Sequence, residues 1–315
     1  MAIQKKVKVG VLKPSEGEEA DRIFRRAFGT FLGLPEGSSF MGDRQMVLPR
    51  LKSSHVKAFA ARDGGRVIGI SLITRWGSFA IIGPVSVLPE YWDQGVGQQL
   101  MQATTKLADR WDVQRSGLFT FAHSAKHVAL YQKFGFWPQS LTALMVHEPA
   151  PRGDATVMLL SERKGSEREK AIRGCTALSI QISRELDPAE EIRSVLQQKV
   201  GEVILVETRG LVAGFAICMS GAGSEGGAET CYVKLGAVRG GAGAQDRFGR
   251  LLDSCEAFAA QRGAKLEAGV NFAREDAYRA MRVRGYQVKA QGVAMQRPNV
   301  EGHNRAGCWV IDDWR

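Results

Sequence analysis

Val87-Leu-Pro89-Glu-Tyr-Trp92-Asp-Gln-Gly95-Val-Gly97-Gln-Gln-Leu100 is the stretch on which the reading of this chain turns. A mostly apolar strand, residues 78–88, ends there, and Pro89 stops it. Two glycines then open a helix whose apolar face carries Val96, Leu100, Ala103, Leu107 and Trp111. Unpaired amides at a helix N-terminus, with glycines that admit close backbone approach, make an anion site suited to a pyrophosphate. The third glycine of a dinucleotide fingerprint is missing, since Gln98-Gln99-Leu100 follows, and no Gly-Lys-Ser/Thr follows as a P-loop requires. Taken alone, Gly-x-Gly reads more readily as an ordinary Gly-rich helix entry.

Upstream, residues 7–12 alternate like a strand, and Ser15 is expected to cap a helix carrying Ala20, Ile23, Phe24, Ala27 and Phe28, with Glu18 three residues past the cap. Residues 56–61 and 66–74 form two strands joined by Arg62-Asp63-Gly64-Gly65, a hairpin signal. Pro84 marks an irregularity in the third strand. Downstream come a short strand from Gly117 to His123, a helix through about Lys133, and a last strand or two near Leu141–His147. In Ser124-Ala-Lys-His127-Val-Ala-Leu130-Tyr131-Gln-Lys-Phe134-Gly135-Phe136, the residues Val128, Tyr131 and Phe134 share a helical face and Gly135 ends the helix. By itself that is a short helix with a packing tyrosine.

Together, the strand-end Val-x-Pro, the Gly-x-Gly helix start and the Leu-Tyr-x-Lys-Phe-Gly-Phe segment resemble the GNAT superfamily of N-acetyltransferases. The likeness spans residues 56–147 well and 3–55 loosely. It implies an α/β fold with a twisted mixed sheet flanked by helices, and acetyl-CoA as cofactor. It also implies that the pyrophosphate lies on the backbone of Trp92, Asp93, Gln94, Gly95, Val96, Gly97 and Gln98. The pantetheine arm is implied on Val85 and Val87, and Tyr131 matches the family's general acid. Three positions depart from the family pattern. Trp92 stands where Arg or Gln is usual, Ser124 where Asn is common (it can still hydrogen-bond the cofactor), and His127 where a small residue is common.

The chemistry suits those residues. Acetyl transfer to an amine expels a thiolate, and a tyrosine of pKa about 10 can protonate that sulfur as the bond breaks. A lysine-like amine of pKa about 10.4 is neutral only roughly 0.04% of the time at pH 7, so a base or a desolvated pocket helps. Residues 78–88 contain no carboxylate; the candidate bases are His123, at the expected end of the next strand, or a water held by Ser86 and backbone carbonyls. Glu90 is expected to be solvated in the loop.

The second half repeats the first in order. Residues 209–217 match 65–72, Leu235–Val238 matches Val85–Val87, and Arg284-Gly285-Tyr286 matches Phe134-Gly135-Phe136, with offsets of 145, 151 and 150 residues. This predicts two tandem GNAT-like domains: residues 1–149 active, 150–154 a linker, and 155–315 degenerate with a docking C-terminal segment. Laying Val238 on Val87 without a gap puts Asp246 on Gly95 and Phe248 on Gly97, which removes the anion site. Laying Gly285 on Gly135 puts Met281, which cannot donate a proton, on Tyr131.

With 315 residues, the chain has room for two domains, and its composition of 44% hydrophobic and 24% charged residues is ordinary for a globular protein. The net charge of +10 favours anionic partners; the longest basic run, Lys5-Lys6-Val7-Lys8, is not a nucleic-acid tail, and CoA phosphates explain the charge as well as a nucleic acid would, so no nucleic-acid partner is expected. Five widely spaced cysteines without C-x-x-C argue for free thiols and no metal site. No leader-like or membrane-length apolar run is present, so the expectation is a cytoplasmic protein without a membrane partner. The sequence predicts an N-acetyltransferase acting on a primary amine of a small molecule, peptide or protein; a non-catalytic acyl-CoA-binding scaffold is the alternative.

Overall fold

Gly64 and Gly65 take positive φ, 54° and 89°, and Asp63 pairs with Arg66 across them. This tight turn makes β2 (Val56–Asp63) and β3 (Arg66–Trp76) an antiparallel hairpin in a computed structural model that describes residues 7–150 and 157–315. Around the hairpin lie β1 (Lys8–Val11), α1 (Gly17–Phe31), α2 (Val47–Leu51) and β4 (Phe79–Val87). α3 (Val96–Arg110), β5 (Arg115–Thr120), α4 (Ala125–Gln132) and β6 (Trp137–His147) follow. Pro84 does mark a bulge: between the pairs Ser71↔Val85 and Ile73↔Ile82, β4 has two residues where β3 has one.

Three local expectations are corrected. Ser15 does not cap the first helix. A 3-10 turn begins at Pro14, and the Glu16 carboxylate accepts from the Lys13 amide at 2.7 Å, which caps that turn; Glu16 itself takes the N-cap position of α1 without a side-chain cap bond. The strand expected to reach His123 stops at Thr120, because the Ser124 amide turns back onto the Phe121 carbonyl at 3.0 Å. The last strand of this half begins at Trp137, four residues before the expected Leu141.

The second half reproduces the same order of elements. It comprises β7 (Met158–Leu159), α5 (Gly165–Ile182), α6 (Ala189–Gln198), β8 (Gly201–Thr208), β9 (Leu211–Gly221) and β10 (Gly227–Val238). These are followed by α7 (Ala244–Ala260), β11 (Lys265–Asn271), α8 (Glu275–Val283) and β12 (Gln287–Arg297). The repeat extends to register: Gly69 pairs with Val87 across β3 and β4, and Gly214 pairs with Val238 across β9 and β10. The stretch expected to be the linker falls, for residues 151–154, outside the described residues.

The halves exchange their last strands. Among the described residues the strands form one sheet, twelve of them in the order β1-β2-β3-β4-β5-β12-β6-β11-β10-β9-β8-β7. β12 of the second repeat pairs with β5 of the first, β6 of the first pairs with β11 of the second, and β6 and β12 pair with each other at the centre. Each repeat therefore needs the other to cover an interior sheet edge.

A short final strand, β13 (Val310–Ile311), pairs with β10 off this path, and residues from Trp309 to Trp314 are buried. Among the described residues, no helix is long and apolar enough to cross a membrane.

Candidate functional site

β4 and β5 part company at one place. They pair in parallel only from Phe79↔Arg115 to Ile81↔Gly117; beyond that, β4 continues to Val87 while β5 turns its other edge to β12. The result is a wedge-shaped opening between them. Leu88 N–H donates to Ile68 O on β3 at 2.9 Å, so alternation along the strand turns the Val87 amide toward the opening. Val85 and Val87 are both half-buried there. At the narrow end sits Gly83, with φ of 149° and nothing within 4 Å of where a Cβ would stand.

The loop beyond β4 ends as a helix N-terminus facing this opening. Asp93 and Gly95 take positive φ, 62° and 76°, and α3 starts at Val96. Gln99 N–H makes the first helical bond, to Gly95 O at 3.3 Å. The amides of Asp93 through Gln98 have no acceptor among the described residues, which is the orphan set that suits an anion. Trp92 is engaged differently from the expectation. Its amide donates to Pro89 O at 3.1 Å, closing a 3-10 turn, and its indole N–H donates to Val87 O at 2.7 Å. Its backbone amide thus leaves the donor set, and Val87 offers its N–H alone. A Cβ on Gly97 would lie 3.6 Å from Leu130, an ordinary contact, so the packing of α3 on α4 does not itself require a glycine here. Lys126, a residue the sequence reading passed over, pairs with Asp93 and lies 5.9 Å over the Trp92 ring, beside the orphan amides.

α4 positions the remaining predicted residues. Ser124 is its N-cap, and its hydroxyl accepts from the His127 amide at 3.5 Å. Tyr131, on the buried side, packs in a cluster with Ile82 of β4 and Leu118 of β5, which flank the point where those strands separate. Val293 and Met295 of the exchanged β12 join the same cluster. Burial raises the Tyr131 phenol to about 12, and its hydroxyl has no hydrogen-bond partner among the described residues. At neutral pH it is a proton donor held in an apolar setting.

His123 is exposed, in the turn beyond β5, and stacks on Phe31 with centroids 6.0 Å apart. Phe31 also meets Phe121 at 4.9 Å and His127 at 4.8 Å, so α1 and α4 share an aromatic contact at the mouth of the opening. Burial, helped by Lys126 and His123, lowers the His127 pKa. The Ser86 hydroxyl is buried with no partner among the described residues.

The second half reaches the narrow end through Arg50 of α2. Its Nη1 donates to Gly83 O at 3.3 Å, and its Nε and Nη2 form a two-pronged pair with Glu225 at 2.9 and 2.7 Å. Nη2 also donates to the carbonyl of Arg315 at 2.8 Å. Glu225 is shared with Lys234, which bonds Glu191, which in turn holds His55 and the Trp76 indole. This buried network lay beyond sequence reasoning because its members come from distant segments of both repeats.

The second repeat's counterpart loop corrects the ungapped alignment. α7 starts at Ala244, and Gly243, with φ of 73°, stands in the place of Gly95. The loop after Val238 is three residues shorter than the loop after Val87, so Gln245, not Phe248, falls on Gly97. Arg247 closes the loop on itself by donating to the carbonyls of Arg239, Gly240 and Ala242 at 2.8–3.0 Å. Met281 does stand where Tyr131 stands.

Residues 22–136 match the Acetyltransferase (GNAT) family. Among solved structures, a putative acetyltransferase from Pyrococcus horikoshii has a similar fold at 15% identity and a TM-score of 0.67, over 98% of this chain and 95% of that one. A GCN5-related N-acetyltransferase from Sphaerobacter thermophilus matches at 14% identity and 0.59, over 96% and 98%. A tandem GNAT protein from the clavulanic acid biosynthesis pathway matches at 13% and 0.55, over 92% and 98%. No curated protein sequence matches the chain. With the family's motif residues on one wedge of the first repeat, residues 22–136 match the GNAT acetyltransferase family, and the whole chain has the fold of a tandem of two GNAT-like repeats.

Proposed function

We propose that this protein is an acetyl-CoA-dependent N-acetyltransferase whose single active site lies in the first repeat, with a primary amine as acceptor. The observation that carries this reading is convergence. The orphan amides of residues 93–98, the outward Val87 amide and the buried Tyr131 all serve the one opening between β4 and β5. The open space beside Gly83, at the closed end, suits the reacting end of a thioester arm. Bound acetyl-CoA supplies an activated acyl group on a good leaving thiolate.

The chain's residues do the rest. The α3 amides and Lys126 hold phosphate charge, and the β4 edge lays out the arm. The amine attacks the thioester carbonyl, the carbon–sulfur bond breaks, and the phenol of Tyr131 gives its proton to the departing sulfur. The attacking nitrogen loses its proton to water, with the exposed His123 as the side-chain candidate and the Ser86 hydroxyl as a holder for that water. Ser124 is spent as a helix cap, which leaves its second lone pair for a cofactor contact. The second repeat supports the site through β12 and through the Glu225–Arg50 pair, and we assign residues 1–149 and 155–315 to the two repeats apart from the exchanged strands.

Incubation with acetyl-CoA and a panel of small amines, peptides and lysine-bearing proteins tests this reading. Thiol release that depends on an amine supports it. CoA binding without thiol release across the panel would instead favour the acyl-CoA-binding scaffold.

A further inference from the structure

The second repeat has the same parting of strands as the first, and segment 309–313 of the same chain fills it. β10 pairs with β11 only from Thr230↔Lys265 to Val233↔Ala268. Past that point β13 pairs antiparallel with β10, Ile311 opposite Gly236 and Val310 opposite Ala237, and it lies against β11 as well. The β10 groups it uses are the equivalents of those on β4. Arg239 N–H donates to Ala213 O on β9 at 2.9 Å, as Leu88 N–H does to Ile68 O on β3. Alternation therefore turns the Val238 amide, like that of Val87, into the opening. Val238 N–H donates to Trp309 O at 3.1 Å.

The other wall of the groove is also made for a backbone. Arg274 is the N-cap residue of α8, the position Ser124 holds at α4. Its buried guanidinium donates to Val310 O at 2.9 Å and to Asp312 O at 3.1 Å. Gly269 of β11 leaves no room for a side chain, since a Cβ there would lie 2.3 Å from that of Asp313. At the narrow end Lys234 stands where the first repeat has Gly83, and its Nζ meets Glu191 at 2.8 Å and Glu225 at 2.7 Å. The space that is open beside Gly83 is closed here.

We propose that the opening of the second repeat is a peptide-binding groove whose ligand is the segment 309–313 of the same chain. That segment is seated as a strand on the backbone positions that serve the thioester arm in the first repeat, so one chain takes up one acyl-CoA. The position of the arm rests on the function proposed above; the seat of the peptide does not.

Calorimetric titration of the full chain with CoA, combined with residue-resolved hydrogen exchange, tests the proposal. The expected result is one equivalent of CoA. The Val238 amide should exchange at least a hundredfold slower than an open amide in free and CoA-saturated protein alike, while the Val87 amide becomes protected only with CoA. Two equivalents of CoA, or a Val238 amide that is open in the free protein, would overturn it. A protected Val238 in a chain that binds no CoA would uphold the peptide groove and sink the acetyl-CoA function instead. A Gly95→Asp, Gly97→Phe variant, which leaves the second repeat untouched, should bind no CoA; one retained equivalent would also overturn the proposal.

Discussion

Met281 holds in the second repeat the place that Tyr131 holds in the first. Tyr131 O accepts from Phe136 N–H at 3.2 Å, Met281 O accepts from Tyr286 N–H at 3.2 Å, and both side chains are buried at the same turn of their helices. One position keeps a proton to give and the other keeps only bulk. Met281→Ala is therefore expected to cost roughly 2–5 kcal/mol of stability through a core cavity, with acetyl transfer per folded molecule unchanged. Urea unfolding beside an activity assay checks this; a loss of turnover at full folding would contradict it.

Exchange of β6 and β12 makes the repeats interdependent. Residues 1–149 expressed alone lack the strand that covers β5, and 155–315 alone lack the strand that covers β11. Each fragment should fail to show a cooperative unfolding transition, whereas co-expression should yield a stable complex. A sharp transition from the isolated first fragment would refute this.

The buried pair Arg50–Glu225 ties the repeats together near the site. Both side chains are almost fully enclosed, and Glu225 also serves Lys234. Arg50→Ala leaves a buried carboxylate with half its compensation, an effect of about 3–5 kcal/mol. Denaturant midpoints would measure it, and a change below about 1 kcal/mol would show that the buried Glu225 does not depend on Arg50.

The pH behaviour follows from burial of Tyr131. Its folded pKa, about 12, lies above the ordinary value of 10.0, so between these values the folded chain holds a proton that the unfolded chain has released. The linkage makes stability fall as pH rises through that window and leaves it flat below it. In the same way, the phenol stays a donor through pH 10. The rate is expected to rise from pH 7 to 10 as the amine deprotonates, with no descending limb from Tyr131 in that range; a fall beginning near pH 9 would contradict the assignment.

Much of this was legible in the sequence because it is local. The Gly64-Gly65 turn, the Pro89 stop, the Gly95 helix entry and the Gly135 exit each state a backbone conformation that few other residues adopt, and the repeat of these signals exposed the tandem. The strand exchange was not legible, since the alternating faces of β6 and β12 satisfy either neighbour and pairing is decided by distant edges. The second loop was misaligned for a related reason: its helix begins three residues early, and Gly243, rather than the residue count, marks the start. Lys126 was passed over because its place beside Trp92 and Asp93 depends on how α4 docks.

The most direct measurement of the central claim is single-turnover acetyl transfer by Tyr131→Phe, with CoA affinity measured on the same preparation. Removing only the hydroxyl, which has no protein partner among the described residues, should slow transfer at least tenfold while leaving CoA affinity within twofold. An unchanged rate, or a loss of CoA affinity as large as the loss of rate, would contradict the role of Tyr131 as the acid that releases the thiolate.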